Sequence, residues 1–193
     1  MLRAPLFVSL TFFCAGCAGP GDRSVALYGG RFVDDSLPND LLLFRELDPL
    51  DSFITTLAYS EVFYKSPSEN FRWEWEGNFT QHSGLQSHQE FNALFIFRWL
   101  RFPWNETLRT SFAIGDGLSY AAETPDLEAE LQLNDGGTNQ LLNFLILELT
   151  FAHPSWKHWS LLGRVHHRSG IFGVFDGVDG GSNILALGVR YSF

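Results

Sequence analysis

His167-Arg168-Ser169 sets a histidine and a serine two positions apart. On a β-strand, alternate residues share a face, so both side chains would project the same way from Cα atoms about 7 Å apart. Those two residue types suit a nucleophile and its general base. An imidazole that takes the hydroxyl proton near neutral pH leaves an alkoxide-like oxygen able to attack an ester carbonyl. His166 falls on the opposite parity and reads as an interior hydrogen-bonding residue. His82 and His88 lie in another loop, without Cys or paired carboxylates, so no metal site is expected there. The glycine-rich run Gly177 to Ser182 has no helix after it, which makes it a tight turn rather than a phosphate cradle.

The segments that must position these residues have period two. Strands are expected near 24–34, 53–65, 70–81, 89–100, 107–120, 141–152, 157–169 and 183–193. The third is the clearest: Phe71, Trp73, Trp75 and Phe79 alternate with Arg72, Glu74, Glu76 and Asn78. The last sets Leu185, Leu187, Val189, Tyr191 and Phe193 against Ala186, Gly188, Arg190 and Ser192. In the second, Glu61 breaks the alternation. Between the fifth and sixth strands, Thr124-Pro125-Asp126-Leu127-Glu128 has the form of a helix start, but ordinary loop is the expectation.

One face of these strands is aromatic and aliphatic. The other carries Arg72, Glu74, Glu76, Arg98, Arg109, Glu148, Arg164 and Arg190 among small residues. A soluble barrel would bury the apolar face, whereas a membrane barrel turns it to lipid and pairs its charges inside. Three features favour the membrane. Connections alternate between short turns (66–69, 101–106, 153–156) and longer loops, most strongly 35–52 and 121–140. Trp73, Trp75, Trp99, Trp104, Trp156 and Trp159 gather at strand ends near the short turns, as an interfacial girdle would. The chain ends in Tyr191-Ser192-Phe193, an aromatic end on the lipid-facing parity. The expected fold is therefore an all-β, eight-stranded antiparallel transmembrane β-barrel with a filled interior rather than a pore. Such a terminal phenylalanine resembles those of bacterial outer-membrane barrels, which implies handling by the barrel-insertion machinery.

Composition sets the remaining bounds. With 193 residues, one domain is expected. Aromatics at 16% leave too much apolar surface for a disordered chain. A net charge of −9 excludes a nucleic-acid partner, which needs clustered Lys and Arg. Residues 1–18 read as a signal peptide, with Arg3 before an apolar run from Leu6 to Phe13 and then small residues, leaving 19–193 as the barrel domain. Cleavage after Ala18 fits Gly16 and Ala18; lipidation at Cys17 also fits Ala15-Gly16, although Cys14 stands where a lipoprotein signal usually has Leu. With both cysteines in this segment, no intramolecular disulfide is expected.

Parity with Trp159, Leu161 and Val165 turns His167 and Ser169 outward, at the outer end of the seventh strand. A reactive pair there meets the outer leaflet and its ester-linked acyl chains. The sequence resembles the lipid A 3-O-deacylases of the PagL type, eight-stranded outer-membrane barrels with a lipid-facing His-x-Ser motif on strand 7 and a Glu on strand 8 that orients the His. The resemblance is strongest over residues 157–193. It implies Ser169 as nucleophile and His167 as base, and it departs from the family at two positions. Gly170 stands where the family has Asn, a candidate oxyanion donor. Asn183 stands at the acid position; it can hold the ring by a hydrogen bond but cannot stabilise the imidazolium by charge, so a slower enzyme is implied, or a different acid, for which Asp176 and Asp179 are the nearest carboxylates. Arg168, inward at the rim, reads as a contact for a lipid A phosphate or as a partner of Asp176.

The expected function is an outer-membrane esterase that removes an acyl chain from lipopolysaccharide without a cofactor or metal. The rival readings are a non-catalytic structural or lipid-binding barrel and a soluble lipocalin-like carrier. The substrate chain and homodimer formation stay open at this stage.

Overall fold

The computed structural model describes residues 21–33, 48–131, 137–178 and 180–193. The expected leader 1–18, with Cys17, lies outside them, as do most of loop 35–52 and Asp179. Eight strands form: β1 (Arg23–Val33), β2 (Pro49–Lys65), β3 (Phe71–Gly84), β4 (Gln89–Trp99), β5 (Arg109–Ala121), β6 (Leu141–Ala152), β7 (Trp159–Ser169) and β8 (Gly181–Ser192). Each pairs antiparallel with its neighbour, and β1 pairs with β8 from Ser24↔Ser192 to Val33↔Asn183, so the sheet closes into a barrel with no free edge. At the C-terminus, Phe193 N–H donates to Arg23 O at 2.9 Å, which seats the last residue in the closing ladder.

The faces follow the alternation. Outside, Leu27, Leu57, Phe91, Phe95, Leu118, Leu161 and Leu187 are exposed. All six tryptophans are exposed as well. Inside, charge is packed and paired. Arg98 Nε donates to Glu74 Oε1 at 2.8 Å, Arg190 Nη2 to Glu74 Oε2 at 2.8 Å and Arg164 Nη1 to Glu76 Oε1 at 2.6 Å, and Glu148 joins Arg98, Arg164 and Arg190. Apolar side chains outside and ion pairs inside invert the distribution of a soluble barrel. This is a membrane-spanning barrel of the outer-membrane type. Glu61 faces outward and is held by Arg23 at 3.5 Å and by the Tyr59 hydroxyl at 3.3 Å.

Three expectations need correction. Arg109 is exposed and donates to Trp156 O at a turn; the interior positions at this end of β5 are Thr110 and Ser111, both buried, so the alternation slips by one beside it. The long-short rhythm fails between β3 and β4, whose connection is only residues 85–88, while the turn from β4 to β5 spans 100–108. The cause is the early start of β2 at Pro49: Ser52 pairs with Gly84 and Phe53 with Ser83, which prolongs β3. Gly84 then ends the strand at φ +96°, where a Cβ would stand 2.2 Å from Asp51 O. Finally, residues 126–131 form a short helix, α1 (Asp126–Leu131), rather than loop. Pro125 before it and Asp126 and Glu128 in its first turn favour a helix N-terminus. Its Leu127 and Glu128 are buried.

Candidate functional site

β7 pairs with both neighbours without a register shift, so its alternation is strict to its end. His166 and Arg168 point into the barrel and are fully buried; His167 and Ser169 lie on the outer face and are half-buried. His167 is directly opposite Asn183 on β8. Its Nδ1 lies 2.7 Å from Asn183 Oδ1. A carbonyl oxygen only accepts, so the ring proton sits on Nδ1 and Nε2 keeps its lone pair. That is the tautomer a general base requires. Asn183, though on the outward parity, is buried, only 7% exposed, with Val33 of β1 as its other cross-strand neighbour.

Ser169 faces Gly181, which places no side chain over the hydroxyl. A Cβ at Gly181 would stand 3.0 Å from Ser169 Cβ and 2.1 Å from Arg168 O, so this close approach requires glycine.

Gly170 and Arg168 do other work than expected. The Gly170 N–H donates to Gly180 O at 2.9 Å and is thereby engaged in the β7–β8 connection rather than turned to an oxyanion. A Cβ at residue 170 would meet Val178 O at 2.0 Å, which explains why Asn is absent: the returning backbone occupies the space. Arg168 is buried with its guanidinium on Glu128 of α1 (2.8 and 2.7 Å), while its Nε donates to Ser119 Oγ (2.8 Å) and its Nη2 to Gln140 O (3.0 Å). Glu128 thus takes the place expected for Asp176 or a lipid phosphate. Asp176 instead accepts from Asn139 at 2.9 Å. Arg168 is a structural tie between β7 and α1.

Sequence reasoning missed further polar residues on the same outer face. Asn143 of β6 is the cross-strand partner of Ser169, and its Nδ2 donates to Asp116 Oδ1 (2.9 Å) and Gly117 O (3.1 Å). Asp116 is exposed and level with His167, with Leu145 between them. On the other side Arg31 of β1, exposed, is bonded to Asp51 at 2.8 Å. Their parity alone would have flagged them, because a charge on a lipid-facing position is costly. Together with His167, Ser169 and Asn183 they form a polar band across β5 to β1. Beyond Ser169, the connection to β8 presents apolar side chains: Phe172 is 94% exposed and Val174 74%.

A second grouping lies inside the outer half of the barrel. His82 of β3, His88 and Glu90 of β4 come together, all buried. Glu90 Oε2 accepts from His82 Nε2 at 2.8 Å, and Oε1 accepts from His166 Nε2 at 2.9 Å. Both histidines were expected in a loop without Cys or paired carboxylates; the structure puts His82 on β3 and brings one carboxylate, Glu90, beside the two. β4 folds back on β3 and sets Glu90 opposite Thr80, within reach of His82.

No family model matches the chain, and no curated protein matches it. Among solved structures, the chain is similar to the outer membrane enzyme PagL (TM-score 0.59, 11% identity, 88% of this chain and 99% of the other). It is also similar to Neisserial surface protein A (TM-score 0.53, 14% identity, 91% of this chain and 99% of the other). At these identities the likeness establishes the fold: a small closed barrel of the outer-membrane type.

Proposed function

We propose that this barrel is an outer-membrane esterase that cleaves an ester-linked acyl chain from lipid A, with Ser169 as nucleophile and His167 as base. The observation that carries the reading is the 2.7 Å bond from His167 to Asn183, which leaves Nε2 as acceptor on the face and strand that bear Ser169. In the proposed reaction, the Ser169 hydroxyl proton passes to His167 Nε2 as Oγ bonds to the ester carbonyl carbon. The tetrahedral intermediate collapses, the sugar oxygen leaves with that proton, and the acyl group remains on Oγ. Water, deprotonated by His167, then releases the fatty acid and restores the hydroxyl. Asn183 orients the ring through both steps. Because Gly170 N–H is bonded to Gly180 O, the oxyanion needs another donor. The Asn143 amide, one strand from Ser169, would serve only by exchanging its bond to Asp116 Oδ1 or Gly117 O for one to the oxyanion.

The surroundings suit a lipid rather than a soluble ester. Ser169 and His167 lie half-buried on the outer face, within the polar band and next to the connection that exposes Phe172 and Val174. A glycolipid headgroup would lie against the band and its acyl chains against the apolar wall below. The test is mass spectrometry of lipid A from cells carrying the chain or its Ser169→Ala variant, with folding of both checked by heat-modifiable gel migration. Loss of one hydroxyacyl mass with the unchanged chain alone is expected. An unaltered lipid A from a folded barrel, or full activity in Ser169→Ala, refutes the reading and leaves a non-catalytic lipid-binding barrel.

A further inference from the structure

The outer half of the lumen holds polar atoms that the ion-pair network does not use. Among the described residues, buried side-chain atoms without a partner include His88 Nε2, His166 Nδ1, Gln86 Oε1 and Asn92 Oδ1. All four belong to residues at or beside Glu90. Buried polar atoms are normally paired, so a cluster of four marks a place where something polar belongs. We propose that His82, His88 and Glu90 form a site for a divalent transition-metal ion of the zinc type, separate from the Ser169 site on the outer face.

One ligand atom from each of the three residues lies within 4.8 Å of the others. Two imidazoles and a carboxylate are the donor set that zinc accepts, and the absence of thiolate or an all-oxygen cage disfavours copper(I) and calcium. Zinc at about 2.1 Å from each donor needs donors about 3.4 Å apart. His82 Nε2 and Glu90 Oε2, at 2.8 Å, are already close, bridged by a proton that the metal would replace. His88 must supply the remaining movement. It sits in the 85–88 connection rather than on a strand, with its ring stacked on His82 at 4.0 Å between centroids.

The surrounding groups fit a metal as well. His166 donates to the Glu90 oxygen that the metal leaves free, and Asn92 Nδ2 does so at 2.7 Å, which fixes the carboxylate as outer partners of metal ligands do. Ligation through His82 Nε2 moves the ring proton to Nδ1. Gln86, whose amide now contacts that nitrogen at 3.2 Å, meets it with Oε1 once the amide turns over, and one unpartnered atom is satisfied. A bound ion would join β3, β4 and the 85–88 connection, and through His166 it would bear on β7.

The test uses the refolded barrel in detergent, stripped with chelator, titrated with Zn²⁺ by calorimetry and with Co²⁺ by visible absorption. One ion per chain is expected, with cobalt bands of a four-coordinate nitrogen and oxygen site. His88→Ala and Glu90→Gln should each weaken binding at least tenfold; His153→Ala, at an exposed turn at the other end, should leave it unchanged. His88→Gln, which keeps a polar side chain in the same loop, covers a failure of His88→Ala to fold. A folded barrel that binds no ion overturns the proposal, as does equal binding by the unchanged chain and a folded His88 variant. Neither result depends on the esterase.

Discussion

Glu148 stands at the centre of the lumenal charge network, and Glu148→Gln tests what holds the barrel together. Its Oε1 lies 2.8 Å from Arg98 Nη2 and 3.4 Å from Arg190 Nη1, and its Oε2 is 2.8 Å from Arg164 Nε. Around it, four guanidiniums (Arg72, Arg98, Arg164 and Arg190) meet three carboxylates (Glu74, Glu76 and Glu148), an excess of one positive charge. Glutamine keeps the size and shape but leaves four cations facing two anions. Removing one partner of a buried ion pair costs about 3–5 kcal/mol, because the other charge stays buried and uncompensated. Here the loss is shared: Arg98 and Arg190 keep Glu74, and Arg164 keeps Glu76. The low end, about 3 kcal/mol, is therefore expected.

The comparison is Asp51→Asn, which breaks the exposed pair with Arg31 and should cost about 0–1 kcal/mol. Urea unfolding of the barrel in lipid vesicles, followed by tryptophan fluorescence and gel migration, reads both. Pairing Glu148→Gln with Arg98→Met should recover part of the loss, since it removes a stranded cation. Stability of Glu148→Gln within about 1 kcal/mol of the unchanged chain would refute the reasoning. It would mean that lumenal water, rather than the carboxylate, neutralises the arginines.

Two further outcomes follow from the outer site. On the proposed esterase mechanism, Asn183→Asp places a carboxylate 2.7 Å from His167 Nδ1 and should raise kcat about tenfold, the difference between a neutral and a charge-assisted hydrogen bond; single-turnover release of fatty acid measures it, and an unchanged or lower rate would count against Asn183 as the group that orients the proposed base. Gly170→Ala drives a Cβ to 2.0 Å from Val178 O and should displace the β7–β8 connection at a cost of about 1–3 kcal/mol, read as faster proteolysis of that connection; protection equal to the unchanged chain would contradict it.

Alternation along each strand was legible in the sequence, and with it the face of nearly every residue. Phe71 to Phe79 and Leu185 to Phe193 assign themselves because lipid demands apolar side chains on every second position. Parity says which way a side chain points but not what it meets. Arg164 finds Glu76 across 88 positions, and Arg190 finds Glu74 across 116; both follow from barrel closure and stagger, which no local pattern encodes. Arg168 was therefore placed inward correctly but given the wrong partner. Its carboxylate, Glu128, comes from α1, a six-residue helix too short to leave a periodic signature. The His82, His88 and Glu90 grouping was hidden for the same reason, since it depends on how far β3 runs before it turns. Asn143, Asp116 and Arg31 are readable as polar residues on lipid-facing positions, but parity alone does not join residues of β6, β5 and β1 into one band; strand order and register do.

The two faces of β7 are not independent. Shifting a strand by one residue turns its whole outward set inward. At the outer end of β7, such a slip would bury Ser169 and His167 and expose His166 and Arg168 to lipid. The outer face alone resists this weakly: Ser169 is opposite glycine, and the bond between His167 and Asn183 is a single contact. The inner face resists it strongly, because Arg168 is held by Glu128, Ser119 and two backbone carbonyls, and His166 by Glu90. Each inward tie would have to break in one step, leaving buried charges unpaired. The lumenal charges therefore do for the outer site what a packed core does for a soluble enzyme: they hold the strand that presents it in a single register.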